Sequence, residues 1–545
     1  MLKKLQHNPI LTITVLVLLM LTFGVKYLSV SIMEARNFIT AREMLTDGNW
    51  LLTTMNGEAR YEKPPLPTWL AAFFGMIFGI KNLLAIRFPA IIFIAITGVF
   101  TYLLSNKLLN NKNHSLINAL IVVTSFYVIG ISIEAPWDIF THGFMLMAIY
   151  FLFQYLHGAP NNFKAILIAG LFLGCSILCK GPVSFYALLL PFLIAYGVVF
   201  KFTAIKKQIL PLLAFLIIGL IVGGWWYLYV RVNDPATFTA IAERETGNWS
   251  SYNIRPFYYY WSFFTQSGIW TIPAFISLLY PYLKRRVSNT EAYRFSFIWT
   301  ITAVILLSLI PEKKSRYLMP VLIPLAINTG FYIEYLIRCF KGLKDKRETI
   351  PVYFNFGLIA LIGLAFPIVG YLFLGEKLSG YMMFPFAIAS ITLVLLSVLI
   401  FVQLKLKNME KVFYLTIFFF AALLISGLPL STALIDNNYK PISNLKEDTK
   451  KEAINVYGFN YISPEMIWQF GDKIPNITQE DGTINFPNEP VFGMLANGIS
   501  PEHQELLLAK YHIEKVATYD LNTSAKDSKS YRGRLVNTYY ILTKK

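Results

Sequence analysis

Hydrophobic and polar positions in this chain alternate on the scale of whole helices. Apolar runs of about 20 residues, long enough to cross a hydrocarbon core, recur from near the first residues to about residue 434 and then stop. They predict about thirteen spans, at roughly 9–29, 83–105, 115–133, 139–156, 164–179, 183–200, 208–230, 259–282, 295–310, 317–337, 353–374, 381–402 and 412–434. The first follows Lys3 and Lys4 but has no small-residue cleavage site after it, so it reads as a retained span and not a signal peptide. Beyond residue 434 the pattern shortens and the chain turns polar. There, Val456–Phe459, Pro490–Met494 and Val536–Leu542 read as strands, and Pro464–Phe470 and Pro501–Tyr511 as helices opened by proline. The expected architecture is an α-helical polytopic membrane protein over residues 1–434, with a small extracytoplasmic α/β domain over residues 435–545.

The segment between the first two runs, residues 31–81, is too polar to span a bilayer and is crowded with charged, aromatic and proline residues. From Glu34, the stripe Phe38, Ala41, Leu45 predicts a short amphipathic helix, which Asp47-Gly48 ends. Glu62-Lys63-Pro64-Pro65 predicts an extended acid–base pair, because a residue before proline is pushed out of helical geometry. Leu66 to Phe78 then runs along the membrane surface, with Trp69 at the interface.

Composition agrees: the chain is 55% hydrophobic and only 14% charged. The three cysteines lie in or beside apolar runs and imply packing, not a disulfide framework. A net charge of +17 raises nucleic acid as a partner, but the basic residues sit in short loops between spans, which argues against it. With a cytoplasmic N-terminus every inner loop carries at least one Lys or Arg, as the positive-inside rule requires. The outer side then receives the 31–81 loop, Glu134–Asp138, Lys180-Gly181-Pro182, the Arg231–Tyr258 loop, Pro311–Arg316 and the C-terminal domain. Ionisable groups near a membrane interior cost roughly 2.5–3.5 kcal/mol on insertion scales. Their collection on one side predicts a cavity open to the outer interface.

Each candidate has a structural reading beside the chemical one. Ser31-Ile-Met-Glu34 matches a capping box. Glu62-Lys63 matches an exposed ion pair, and Asp138 a helix-start acid. Asp138 and His142, one turn apart, match either two metal ligands or an acid beside a buried histidine; no motif supports a divalent metal and no cofactor is firmly implied. Lys180 before Gly-Pro matches a snorkelling lysine. Lys313, Lys314 and Arg316 form an outer cationic cluster against the inside bias, suited to a lipid phosphate at that depth. No glycine-rich phosphate loop or nucleotide-binding unit appears, which favours an activated lipid over a nucleotide sugar.

With these residues in view, the chain resembles the GT-C-fold glycosyltransferases that use polyprenyl-phosphate sugars. The resemblance is to the bacterial lipid A aminoarabinose transferase and dolichyl-phosphate-mannose-protein mannosyltransferase superfamily. It is carried by Glu34, Arg42-Glu43-Met44, Gly48-x-Trp50, Glu62-Lys63-Pro64-Pro65, Trp69, Gly79 and Ala85-x-Arg87-x-Pro89. It continues through Asp138, Tyr150, Lys180-Gly181-Pro182, Trp226-Tyr227 and Lys313-x-x-Arg316-Tyr317-x-x-Pro320. The resemblance implies a polyprenyl-phosphate-linked sugar donor, a glycolipid (lipid A among them) or protein acceptor, and a place in the bacterial cytoplasmic membrane. By position it implies Glu34 and Asp138 as catalytic, Lys63, Lys313, Arg316 and Tyr317 on the donor phosphate, and Glu62, Arg36 and Lys180 on sugar or acceptor. The family's Asp-Glu pair is reduced here, because Met33 stands before Glu34. Either Glu34 is itself the base, or the acceptor is an already ionised phosphate that needs none. The acidic-His pattern of some members reads Glu243-Arg-Glu-Thr-Gly here, so no metal site is carried over. Two rivals remain: a flippase for lipid-linked glycans, which calls for charges at the midplane and paired broken helices, and a non-catalytic relative. Nothing in the residues speaks to oligomeric state.

Overall fold

The computed structural model describes residues 2–158, 162–202, 205–378, 380–479 and 482–545. Among them, ten helices are long and apolar enough to cross a membrane. The 115–133 run becomes a pair, Lys112–Val123 and Phe126–Glu134, bent by 44° and counting as an eleventh span if taken as one. The 183–200 run holds a shorter apolar helix, Phe185–Val199. The 259–282 run is not one span. It breaks into the 3-10 turns Phe257–Tyr260 and Phe263–Trp270 and the short helices Thr271–Ser277 and Tyr280–Leu283. Gly268, at φ 68°, and prolines 273 and 281 interrupt the hydrogen-bond ladder there. The chain is a multi-pass membrane protein.

It divides into two compact units. The first comprises residues 1–27, 61–67 and 87–430, and holds the ten long helices. Within it, Pro136–His157 runs into Phe163–Lys180, which packs on Ile205–Asn233. The last two approach closely: a Cβ on Gly174 would stand 2.4 Å from Val222 Cβ, so glycine is required there. Because Pro136–His157 and Phe163–Lys180 are sequential antiparallel neighbours, the first turn of one and the last turn of the other share an end of the bundle. That geometry positions Asp138 and Lys180.

The second unit comprises residues 28–60, 68–86 and 431–545. The boundary expected at residue 435 therefore leaves out two segments of the first loop: Ile39 of the first packs into the core of the C-terminal residues, and Ala71 and Ala72 of the second pack on Ala41 and Met44 of the first. Ile32–Asp47 forms the predicted helix, capped by Ser31 and ended by Gly48 at φ 77°. Ile39 joins a core with Met466, Ile467, Phe470 and Leu495, and the Phe38 ring lies 5.3 Å from that of Trp468. Six strands follow in chain order: β1 (Thr54–Met55), β2 (Glu58–Ala59), β3 (Val456–Phe459), β4 (Val491–Ala496), β5 (Tyr511–Asp520) and β6 (Val536–Lys544). The first two form a hairpin turned by Asn56 and Gly57, both at positive φ. The others form a sheet in the order β3-β4-β6-β5, with β3 and β4 parallel and the remaining pairs antiparallel.

Candidate active site

In the first unit, Ala135 leaves helical geometry and Pro136 opens the next helix, which sets Asp138 in its first turn. Asp138 is buried, and its Oδ1 accepts from the Lys180 ammonium. Its Oδ2 is buried with no hydrogen-bond partner. Lys180 is the last residue of the following helix, Phe163–Lys180, because Gly181, at φ 70°, and Pro182 stop it there. The same ammonium lies 5.2 Å from the centre of the Tyr317 ring, a cation–π distance. Arg316 and Lys63 are within electrostatic reach of Lys180 and oppose its charge. Four of the expected residues are thus gathered around one buried carboxylate. His142, one turn below, is also buried. Among the described residues no group of three or more His, Cys, Asp or Glu has the arrangement to hold a metal ion.

The cationic loop is held rigidly. Ile254 bridges Glu312 in antiparallel fashion, the Arg255 amide donates to the Pro311 carbonyl, and the Lys313 amide donates to the Asn253 carbonyl. Tyr260 Oη donates to the Lys314 carbonyl at 3.0 Å. Tyr317 Oη donates to Glu312 Oε1 at 3.1 Å, and the Lys314 ammonium pairs with the same oxygen at 2.6 Å. Arg316 is different: it stacks 5.8 Å from the Tyr317 ring, its Nε is buried without a partner, and no carboxylate of the described residues pairs with it. Lys313, expected on the donor phosphate, has carbonyl partners within this loop. The residue is only 4% exposed, and its ammonium donates to the carbonyls of Arg255 and Ile310, at 3.0 and 2.5 Å. Desolvation lowers its pKa from the ordinary lysine value. Its charge braces the loop.

The Tyr61–Pro67 strap supplies the rest. The Lys63 ammonium pairs with Glu245 at 3.1 Å, and Glu62 Oε1 accepts from Arg244 at 2.6 Å. Both partners lie on the helix Pro235–Ser251, which Asp234 caps. Tyr61 Oη donates to Asp234 Oδ2 at 3.0 Å. Burial, and after it Asp234, pushes the Tyr61 phenol up to about 12. Asp234 is held below the ordinary carboxylate value by hydrogen bonds from Thr237 and then Tyr61. Sequence reasoning did not single out Tyr61, Asp234, Arg244 or Glu245. The available signal was Asp234-Pro235, a cap followed by a first-turn proline, which announces a polar helix in the outer loop.

Glu34 and Arg36 belong to the second unit. Ser31 and Glu34 form the reciprocal capping box, with Ser31 N donating to Glu34 Oε2 at 3.1 Å and Glu34 N to Ser31 Oγ at 3.2 Å. The carbonyl of Arg36 accepts from Arg60 at 3.0 Å, while its Nε is buried without a hydrogen-bond partner. Other motif residues have structural partners here. Glu43 accepts from Thr54 Oγ1 and the amides of Asn56 and Gly57, anchoring the β1–β2 hairpin. Trp69 donates to the Trp50 carbonyl at 2.8 Å.

The family model for dolichyl-phosphate-mannose-protein mannosyltransferases matches residues 62–227, a range that holds Glu62, Lys63, Asp138 and Lys180. A protein of Aquifex aeolicus, described only as uncharacterized, is 28% identical over 369 residues, covering 64% of this chain and 69% of its own length. An undecaprenyl phosphate-alpha-4-amino-4-deoxy-L-arabinose arabinosyl transferase of Proteus mirabilis is 24% identical over 344 residues, and its counterpart in Shewanella sediminis is 23% identical over 483. The match spans 61% of this chain and 60% of the Proteus protein, and 83% and 82% for the Shewanella one. The crystal structure of ArnT from Cupriavidus metallidurans bound to undecaprenyl phosphate superposes with a TM-score of 0.68 at 14% identity, covering 98% of this chain and 97% of that one. The fold is shared along nearly the whole chain.

Proposed function

We propose that this membrane protein, which has the GT-C fold of the polyprenyl-phosphate-sugar glycosyltransferases and resembles the arabinosyl transferases among them, moves a sugar from undecaprenyl phosphate to a glycolipid or protein acceptor. The reaction takes place on the outer side of the bacterial cytoplasmic membrane, with the N-terminus inside and residues 435–545 outside. The single observation that carries this reading is the unpaired, half-buried Arg316 guanidinium beside the buried Asp138–Lys180 pair. A cation held without a carboxylate at that depth suits an anion that arrives with the substrate.

The reaction breaks the bond between the anomeric carbon and the phosphate oxygen and forms one to the acceptor oxygen. Charge then grows on the departing phosphate. Arg316, and Lys63 once Glu245 is displaced, stabilise that charge from fixed positions, a contribution of roughly 10²–10³ in rate per donor by analogy with oxyanion-hole donors. Lys180 holds Asp138 ionised and oriented. The unpartnered Oδ2 of Asp138 accepts a hydrogen bond from a sugar or acceptor hydroxyl, and it takes the proton where the acceptor is an alcohol. Tyr317 fixes the two cations through its ring.

The test is mass spectrometry of envelope lipids and glycoproteins from cells with the gene, without it, and with Lys63→Ala, Asp138→Asn or Glu34→Gln. A sugar-sized mass increment is expected to vanish in the deletion and, where the acceptor is an alcohol, to fall at least about 10²-fold with Asp138→Asn, at the low end of general-base contributions. Glu34→Gln is informative because glutamine also closes a capping box. Activity lost in that variant reports the carboxylate's chemistry and not the helix start. No sugar increment under expression, with purified protein failing to release undecaprenyl phosphate from any lipid-linked sugar, would sink the transferase reading.

A further inference from the structure

The bundle end opposite Arg316, separated from it by the length of the Ser315–Gly342 span, carries two joined basic loops. Residues 338–347 hold five Lys or Arg and residues 405–411 hold three. The basic loops of the first half, at 107–112, 164 and 201–207, hold one to three each. The two rich loops meet: the Lys407 ammonium donates to the Leu343 carbonyl at 3.2 Å and lies 6.0 Å from the centre of the Phe340 ring. The helix Lys346–Leu374 starts at this meeting point and the helix Met383–Lys405 ends there. The two pack on each other, and a Cβ on Gly357 would stand 3.9 Å from the Phe401 ring.

The charge of this surface is unmatched. Lys344, Lys346, Arg347, Lys405 and Lys411 are exposed, and no carboxylate of the described residues pairs with them or with Lys407. The carboxylates nearby are engaged elsewhere. Asp345 Oδ1 accepts from the Arg347 amide at 2.8 Å, Glu348 pairs with Arg286 at 2.9 Å, and Glu410 accepts from the Gln6 side chain at 2.7 Å. Next to the cations the helix faces are apolar and open: Ile350, Phe354, Phe401 and Leu406 are exposed, and the two spans are only 22% and 28% buried within the protein. Positive-inside bias and snorkelling each account for single basic residues at helix ends. Neither requires two loops to be joined, nor their carboxylates to be turned to other partners.

We propose that this end of the bundle docks an acidic phospholipid, its phosphate among Lys344, Lys346, Arg347, Lys405 and Lys407 and its acyl chains along the apolar faces of the two helices. Basic clusters beside a span attract acidic headgroups in this way. The occupant is a lipid and not a soluble anion, because the cations border apolar surface that a soluble ligand would leave uncovered. It is acidic and not zwitterionic, because the neighbouring carboxylates already have partners and none is offered to a headgroup ammonium. The site rests on the membrane placement of the spans and not on the sugar-transfer chemistry, so its occupancy is read without turnover.

The experiment uses the full-length protein, delipidated in detergent and offered phosphatidylglycerol, phosphatidylethanolamine and phosphatidylcholine of matched chains, with retention read by native mass spectrometry. Phosphatidylglycerol is expected to be retained about tenfold over both others, within what a cluster of this size supplies beside an acidic headgroup. The triple variant Lys344→Gln, Lys346→Gln, Arg347→Gln is expected to lose the preference. A second triple, Lys107→Gln, Lys112→Gln, Lys164→Gln, removes the same charge from exposed positions in two other loops and is expected to keep it. Inorganic phosphate at matched ionic strength is expected not to displace the lipid; displacement would make the ligand a free anion and overturn the lipid assignment. Equal retention of the three lipids would also overturn the proposal, as would a preference that survives the first triple or that both triples abolish alike, since net charge alone would then explain it.

Discussion

Tyr61 and Asp234, 173 positions apart in the chain, meet at 3.0 Å, and each holds the other's proton equilibrium away from its ordinary place. The folded phenol is raised to about 12, so its contribution to stability is full below the unfolded value of about 10 and is lost as pH rises through 12. The folded carboxylate is lowered, so its contribution is full above about 3.9 and is lost as pH falls through the folded value. The contact is therefore intact across the neutral range. Asp234→Asn is expected to bring the Tyr61 midpoint part of the way back toward 10, and only part, because burial is the larger cause. Titration of ¹³C-labelled tyrosine, assigned with Tyr61→Phe, reads this directly; an unmoved midpoint would refute the coupling. Residues of this kind were the hardest to find from sequence. Asp138 and Lys180 stood out because a charge beside apolar residues has contrast, and Arg316 because its cationic cluster runs against the inside bias. Tyr61, Asp234 and Glu245 lie in polar surroundings where a charge has none, and their partners come from remote segments.

The helix Pro235–Ser251 acts on the candidate site as one element, since Arg244 and Glu245 engage Glu62 and Lys63 together. In the proposed reaction a donor phosphate competes with Glu245 for the Lys63 ammonium. The pair is partly exposed, with side chains 25% and 38% accessible, so it is worth at most about 1 kcal/mol, roughly a fivefold effect. Glu245→Gln should tighten donor binding by up to about fivefold and steepen its salt dependence, measured as the donor Kd at two ionic strengths. Weaker binding would mean that Glu245 positions Lys63 instead of occupying it. The elements themselves were legible unevenly. Long apolar runs and proline-opened helices announced themselves, but β5 did not: its register shifts between Lys515 and Ala517, and that bulge breaks the two-residue alternation by which a strand is recognised. The 259–282 run misled in the other direction, because its composition is that of a span while Gly268 and its prolines deny it a continuous helix.

At the scale of the whole molecule, hydropathy separates lipid-facing from water-facing chain, but it does not say which water-facing pieces share a core. The boundary expected at residue 435 followed the end of the last apolar run, whereas the second unit also takes in residues 28–60 and 68–86. Ile39 is fully buried in one cluster with Met466, Ile467 and Ile474, so the Ile32–Asp47 helix draws its apolar partners from sequence more than 400 positions away. Arg42 reinforces this, donating to the Ile467 carbonyl at 3.3 Å, and Lys473 pairs with Asp47 at 2.7 Å. A short amphipathic helix holds little stability of its own and depends on packing of its apolar face. Ending the chain after Leu434 leaves the predicted spans in place but removes that packing. The truncated protein should therefore reach the membrane yet be cut by trypsin within residues 28–60 far faster than the full chain, at Arg36 and Arg42 among other sites. A milder form of the same argument uses Ile39→Ala with Met466→Ala. Each deletes a buried side chain at about 2–5 kcal/mol for full burial, and because the two share a cluster their effects should fail to add. Tryptic maps that stay the same after truncation would show that the first loop is ordered without the C-terminal residues, and the two segments would then have to be treated as separate domains.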